Sequence, residues 1–387
     1  MNDKKTSLII FAVSVLAGIL FTYFSADSDV PQTEPSTRAD QKWRIGYYEG
    51  GYYDDYKGSL RALVDGLVEL EWIAPLAIPE FEPGDDTQVI WEYLAQNVSS
   101  PYIEFVADAY WSADWDETQR QQNRRAAIQR LNAVGDIDVM IAMGTWAGQD
   151  LANDEHTVPT MVLNSSGPVQ AGIIDSVEDS GLDHVVAECD PERYVRQIQL
   201  FHDIIGFEQL GVVHDNTADG KIYANLADLQ QVAADRDFEV IECYAQDTGF
   251  EESVYRQELI HCYQELAPKV DALWIGVHQG EDPAFMPEIL EPLFAHDVAT
   301  WAQAGLPAVK RGALVSITQQ DYAAAGRWYA QTLAKILNGA KPRDLSQVFE
   351  LPNHVIINLE TARRINFELP AGLLEIADQT FDTIEGE

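Results

Sequence analysis

Residues 138–168 read DVMIAMGTWAGQDLANDEHTVPTMVLNSSGP. The apolar run at 138–143 predicts a strand buried on both faces. Gly144-Thr145-Trp146-Ala147 then opens a helix that continues through 148–152, and 159–163 is a second apolar strand. Strand, short helix and strand in so few residues make a βαβ unit, whose two strands lie parallel.

The same rhythm extends outward in both directions. Upstream, 44–48 and 102–107 read as strands, and 56–70 and 117–134 as helices. In the second of these helices Ala126, Ile128, Leu131 and Val134 are spaced to face a core. Downstream, strands are predicted at 184–189, 209–214, 239–245, 272–277, 298–303, 314–317 and 355–358. Between and after them come helices at 190–205, 218–235, 251–266, 287–296, 321–337 and 359–364. Asp190-Pro191-Glu192 supplies a cap and a first-turn proline for the first, and Asn338-Gly339 closes the long one. The fold class is therefore α/β, with two doubly wound parallel-sheet lobes. Gly167-Pro168 is the break that a hinge between them would use.

Charge narrows the function classes. The 387 residues carry 63 Asp and Glu against 25 Lys and Arg, a net charge of −38. Such a surface repels phosphate backbones, so nucleic acid is excluded as a partner. The excess fits a saline (halophilic) setting, where salt screens self-repulsion; a basic partner is the alternative. Cys189, Cys243 and Cys262 match no zinc spacing. The reading preferred here is three buried small hydrophobes, with a Cys243–Cys262 bridge as the other option.

The N-terminus addresses the chain. Lys4 and Lys5 precede an uncharged, mostly apolar run at 7–24, and a polar stretch at 25–42 reads as a flexible linker. This order directs the remainder outward. The run is long for a signal-peptide core and short for a bilayer span. An uncleaved anchor at 1–24, holding the protein on the extracytoplasmic face of the membrane, and a cleaved signal both stay open, with the anchor favoured.

In open parallel sheets ligands sit at the carboxyl ends of strands. After the first strand come Tyr47, Tyr48, Glu49, Gly50, Gly51, Tyr52 and Tyr53, flat faces with polar tips on a glycine turn. After the next come Thr145 and Trp146, where a helix start offers free N–H groups to an anion, and then Ser165 and Ser166. Further strand ends carry Asp215 and Asn216, His278 and Gln279, and Trp301. Aromatic faces with an acidic rim suit an amine or an aromatic compound. Helix capping and core packing are the plainer readings of the same residues. An enzyme is disfavoured: there is no P-loop, GxSxG or HExxH, and the eight histidines show no metal-ligand spacing. No cofactor or metal is expected.

AMGTWAGQDLAND…VPTMVLNSSGPVQAGII within 138–174, Val309-Lys310-Arg311-Gly312-Ala313-Leu314 followed by Asp321-Tyr322 and Gly326, and Ile356-Ile357-Asn358-Leu359-Glu360-Thr361-Ala362 resemble the substrate-binding proteins of ABC transporters. The resemblance spans about 43–380. It implies a type I periplasmic-binding fold whose lobes are joined by three crossing strands. Lobe 1 would be 43–166 plus 312–345, and lobe 2 would be 167–311 plus 346–380. It further implies a small-molecule ligand, an amino acid or related amine or aromatic compound, caught by hinge closure and passed to a permease and ATPase. Thr145, Ser165 and Ser166 stand where the family holds a ligand carboxylate, and Asp215 and Asn216 would face them. Three departures stand out: Ile19 where the lipid-accepting Cys belongs, a long tyrosine-rich first loop, and Gly167 in place of an aspartate. A ligand-binding sensory ectodomain is the second reading. That this chain ends at Glu387 without a second membrane segment weighs against it.

Overall fold

A computed structural model describes residues 32–38, 41–79, 86–247, 252–278, 280, 285–303, 305–318, 322–350 and 354–386. The chain divides into Met1–Gln32 and a compact body, Thr33–Glu387. The expected anchor at 1–24 lies outside the described residues. Among those described, no helix is long and apolar enough to cross a membrane. The described part of the expected linker is tied to the body. Trp72 Nε1 donates to Thr33 O at 2.8 Å, and Arg38 pairs with Asp138 at 2.7 Å.

The first lobe is built on a five-stranded sheet of order β2-β1-β3-β4-β5. Its strands are β1 (Trp43–Glu49), β2 (Ile103–Ser112), β3 (Val139–Met143), β4 (Thr160–Leu163) and β5 (Val185–Ala187), all parallel. Strand alternation sorts its apolar side chains to two faces. Tyr47, Ile141, Met143 and Met161 enter one core cluster, and Tyr48, Met140, Ala142 and Val162 enter another. Four helices accompany these strands in the chain: α1 (Asp54–Glu69), α2 (Thr87–Asn97), α3 (Glu117–Ala133) and α4 (Thr145–Leu151). The sequence reading had no α2.

The second lobe has a seven-stranded sheet of order β12-β11-β10-β9-β8-β6-β7. In chain order these are β6 (Gln209–His214), β7 (Glu239–Tyr244), β8 (Ala272–Ile275), β9 (Ala299–Ala302), β10 (Val315–Thr318), β11 (His354–Asn358) and β12 (Ala377–Phe381). Its helices are α5 (Arg193–Ile205), α6 (Ala218–Tyr223), α7 (Leu226–Arg236), α8 (Glu252–Leu266), α9 (Met286–Phe294), α10 (Leu306–Lys310), α12 (Leu359–Arg364) and α13 (Ala371–Ile376). The helix expected at 218–235 is two helices, broken at Asn225, which adopts left-handed backbone (φ 54°).

Between β10 and β11 the chain returns to lobe 1 to form α11 (Tyr322–Leu337), which packs along α1. The packing runs backbone to backbone. A Cβ on Gly66 would strike Gly326 O, and one on Gly326 would strike Ala62 O. The excursion also explains why β10 pairs antiparallel with β11. A strand whose chain leaves and re-enters by the same end of the sheet must run the other way.

The lobe boundaries differ from expectation. The strand expected at 184–189 to start the second lobe is β5, paired to β4 in the first sheet. Gly167-Pro168 is therefore no hinge. Its residues close a local turn, with Ala171 N donating to Gly167 O (2.8 Å) and Ile173 N to Pro168 O (2.9 Å). The chain crosses after Ala187, again between Thr318 and Tyr322, and again between Phe349 and His354. So β10 belongs to lobe 2, not to a lobe 1 segment starting at 312. The first and third crossings pair: Cys189 N donates to Gln347 O (2.9 Å) and Phe349 N to Cys189 O (3.0 Å).

The cysteine reading is also corrected. Cys243 at the end of β7 and Cys262 in α8 have Cα atoms 5.7 Å apart and form a disulfide, while Cys189 is free and buried. The strand and helix lie side by side, which spacing along the chain does not reveal.

Two predictions follow from the packing. Alanine at Gly326 gains helix propensity of about 1 kcal/mol but meets a backbone that cannot yield. Gly326→Ala is expected to cost about 1–3 kcal/mol net in denaturant unfolding. His156 is 2% exposed; its Nδ1 accepts from Val158 N–H (3.2 Å), so its Nε2 carries the proton toward Leu151 O (2.8 Å). Burial first, then the neighbouring His184, pushes its pKa down to about 4. The unfolded chain takes up this proton near pH 6.5 and the folded chain does not. Stability should therefore fall as pH drops from 6.5 towards 4, by on the order of 3 kcal/mol. His156→Gln, measured by unfolding across that window, should flatten the slope.

Candidate functional site

The carboxyl ends of both sheets open on a cavity between the lobes. It encloses about 1270 Å³ including its open mouth, room for a small molecule. Its wall is aromatic and hydroxylic. Tyr53 and Tyr56, at and just after the end of the β1 loop, meet edge to face at 5.3 Å. Trp115 and Trp146 do the same at 5.3 Å. Tyr194 and Tyr223 come from lobe 2, and Tyr322 and Tyr329 from α11.

The unit β3-α4-β4 places the polar groups. Gly144 turns the chain from β3 into α4 with φ +88°, and a Cβ there would collide with the Tyr56 hydroxyl. Thr145 is thereby set at the cavity wall. Its Oγ1 accepts Ser166 N–H at 3.1 Å and lies 3.4 Å from Ser165 Oγ. Asn164, beyond β4, donates its amide to Ser59 Oγ (2.7 Å) and its N–H to Glu188 Oε2 (3.1 Å), which also accepts from the Tyr329 hydroxyl (2.9 Å). Burial raises the pKa of Glu188, and these two bonds oppose the rise.

Trp146 is held from behind and across the cleft. The Arg120 guanidinium lies 4.4 Å from its ring centre. Asp150 fixes Arg120 (3.0 Å) and accepts from the Tyr48 hydroxyl (2.8 Å). From lobe 2, Asp219 accepts both Trp146 Nε1–H (3.2 Å) and the Gln149 amide (3.0 Å). These bonds join the two lobes over the cavity.

Of the residues expected from sequence, Thr145, Trp146, Ser165 and Ser166 line the cavity. Tyr47, Tyr48 and Glu49 do not. The strand runs on through Glu49, so alternation sends Tyr47 and Tyr48 into opposite cores. Buried Glu49 accepts from Tyr47 and Tyr110 (both 2.8 Å). Trp301 stacks on Trp274 at 5.8 Å inside the lobe 2 core. His278 is buried 3.9 Å from Asp247, whose own N–H is held by Asp215 (3.1 Å). Neither His278 nor Asp215 is in the lining, although Asp247 is. Asn216 is exposed, and Gln279 lies outside the described residues. The sequence reading passed over Glu188, Arg193, Tyr194 and Tyr223. Arg193 had a usable signal, since it opens the helix that follows the first crossing.

Two α/β lobes, three crossings and a cavity at facing strand ends define a binding protein of the periplasmic type I class. A model of the ABC transporter substrate-binding protein family matches residues 108–381, more than two thirds of the chain. The chain belongs to that family, whose members bind solutes rather than convert them. No curated protein matches the chain. Among solved structures, a conserved domain protein from Vibrio cholerae is similar at a TM-score of 0.64 and 20% identity, over 88% of this chain and 100% of that one. An ABC domain from Streptococcus pneumonia in complex with L-Trp gives 0.64 and 17%, with the same coverages. A ligand-free, open substrate-binding protein with adhesive properties from Clostridium difficile gives 0.57 and 17%, again over 88% and 100%.

The Asp219 bonds yield a prediction. Asp219→Ala removes two hydrogen bonds to a carboxylate, so the population should shift about 10-fold or more towards an open arrangement. Small-angle scattering of the ligand-free variant should report a larger radius of gyration than wild type.

Proposed function

We propose that this chain captures an amino acid, or a related aromatic or amine compound, by closing its lobes over the cavity, and presents it to a permease and ATPase. The observation that carries this reading is the wall itself. Tyr53, Tyr56, Tyr223 and Trp146 offer flat faces beside the hydroxyls of Thr145, Ser165 and Ser166. Aromatic faces bind rings and cations, and a few placed polar groups fix orientation. The L-Trp complex of the similar Streptococcus domain supports the same ligand class. Motion of the two lobes about the chain crossings that join them supplies the closure. Residues 1–24 are the tether to the outer face of the cytoplasmic membrane. The Cys243–Cys262 bridge suits that oxidising side.

A thermal-shift screen of amino acids, aromatic acids, amines, sugars and nucleosides tests the reading. A ligand at about 100 times its Kd should stabilise the fold by about 2.7 kcal/mol. The hit should fall among amino acids or amines and weaken in Thr145→Ala. A folded protein that responds only to sugars or nucleosides, or to nothing, refutes the proposed class.

A further inference from the structure

Arg193 stands at the first position of α5 and lines the cavity. Among the described residues it makes no salt bridge, and its buried Nε has no hydrogen-bond partner. The Tyr194 ring lies 5.1 Å from the guanidinium carbon. Scarcity of acids is not the reason, because the chain has 63 acidic residues for 25 basic ones. Three residues on, Arg196 takes Asp190 at 2.5 Å. Arg120, Arg130 and Arg343 all hold carboxylates. A buried guanidinium with Glu188 and Asp55 in its field but no carboxylate in ion-pair contact is costly, and a binding site is where that cost is recovered.

Glu188, in the same crossing, is the complementary group. Both of its hydrogen bonds, from Asn164 N–H and the Tyr329 hydroxyl, end on Oε2. Among the described residues Oε1 accepts none. Glu188 and Arg193 thus share one cavity wall without pairing to each other.

We infer that the first crossing reads the charged end of an amino acid: Arg193 receives its carboxylate and Glu188 Oε1 its ammonium. This rests on the amino-acid reading above and relocates the charged end within it. A guanidinium grips a carboxylate through two charge-assisted bonds. The neutral hydroxyls of Thr145 and Ser165 cannot match that, and Thr145 Oγ1 already accepts Ser166 N–H. With the charged end at the crossing, the tyrosine and tryptophan wall is left for the side chain. Arg193 lies in lobe 2 and Glu188 on the lobe 1 side, so one zwitterion joins both halves at their junction.

The test is calorimetric titration of the full chain with the twenty L-amino acids. The tightest binder is then compared with its decarboxylated amine and its des-amino acid. Both truncations should bind at least about 30-fold more weakly. Arg193→Gln should weaken the amino acid by at least about 30-fold while leaving the amine unchanged. Glu188→Gln should do the converse, sparing the des-amino acid. In the absence of ligand, Arg193→Gln should melt no lower than wild type, whereas a structural arginine would lower the melting temperature. An amine that binds wild type as tightly as its amino acid, or an Arg193→Gln chain that binds the amino acid normally, overturns the inference and leaves the amino-acid reading standing. Failure of every amino acid to bind wild type overturns both.

Discussion

The contact of α1 with α11 at Gly66 and Gly326 governs the topology. It draws 322–337 out of lobe 2, in mid-sheet, and seats it on lobe 1. From that one packing choice come the second and third crossings and the reversed direction of β11. It also places Tyr322 and Tyr329 at the cavity, since the helix that carries them must begin at the cleft. Tyr322 donates to Asp55 (3.1 Å) near the start of α1, so the seating and the cavity wall are parts of one arrangement. Helix faces that meet through glycine leave no room for adjustment.

Behind the cavity stands a relay of buried polar groups. Tyr48 reaches from the lobe 1 core to Asp150, Asp150 grips Arg120, and Arg120 lies over Trp146. Each link is shielded from water, where charge-assisted bonds are strongest and hardest to rearrange. Tyr48 therefore acts on the site without touching it. The indole of Trp146 is fixed in plane by the guanidinium and in rotation by Asp219. A rigid aromatic wall loses little freedom when a ligand arrives.

Much of the fold was legible because its central strands are buried on both faces and read as unbroken apolar runs, as in 138–143 and 159–163. The turn at Gly144-Thr145 was legible too, since few residues other than glycine tolerate its backbone. What failed was information held between elements. β5 is three residues long, and only its pairing with β4 shows which lobe owns it. Tyr47 and Tyr48 read as strand-end site residues although they lie inside the strand, which runs on through Glu49. In a strand, one residue decides between core and cavity. Trp301 looked like a strand-end aromatic but finds Trp274 across the sheet. Arg193 was passed over because its place in the cavity wall, without a salt bridge, is a property of the folded chain.

The pairing of the first and third crossings through Cys189, Gln347 and Phe349 has a mechanical consequence. Three independent threads would let one lobe roll and slide over the other. Two threads laced by backbone hydrogen bonds behave as a single flat strap, which bends readily across its width and resists torsion. In the proposed closure this strap would hold the lobes to something close to a single rotational axis, like a door hung on a broad leaf. Whatever enters would then be met by the same opposing atoms each time the door shuts, so the selectivity of the cavity would be set partly by the restriction of its motion.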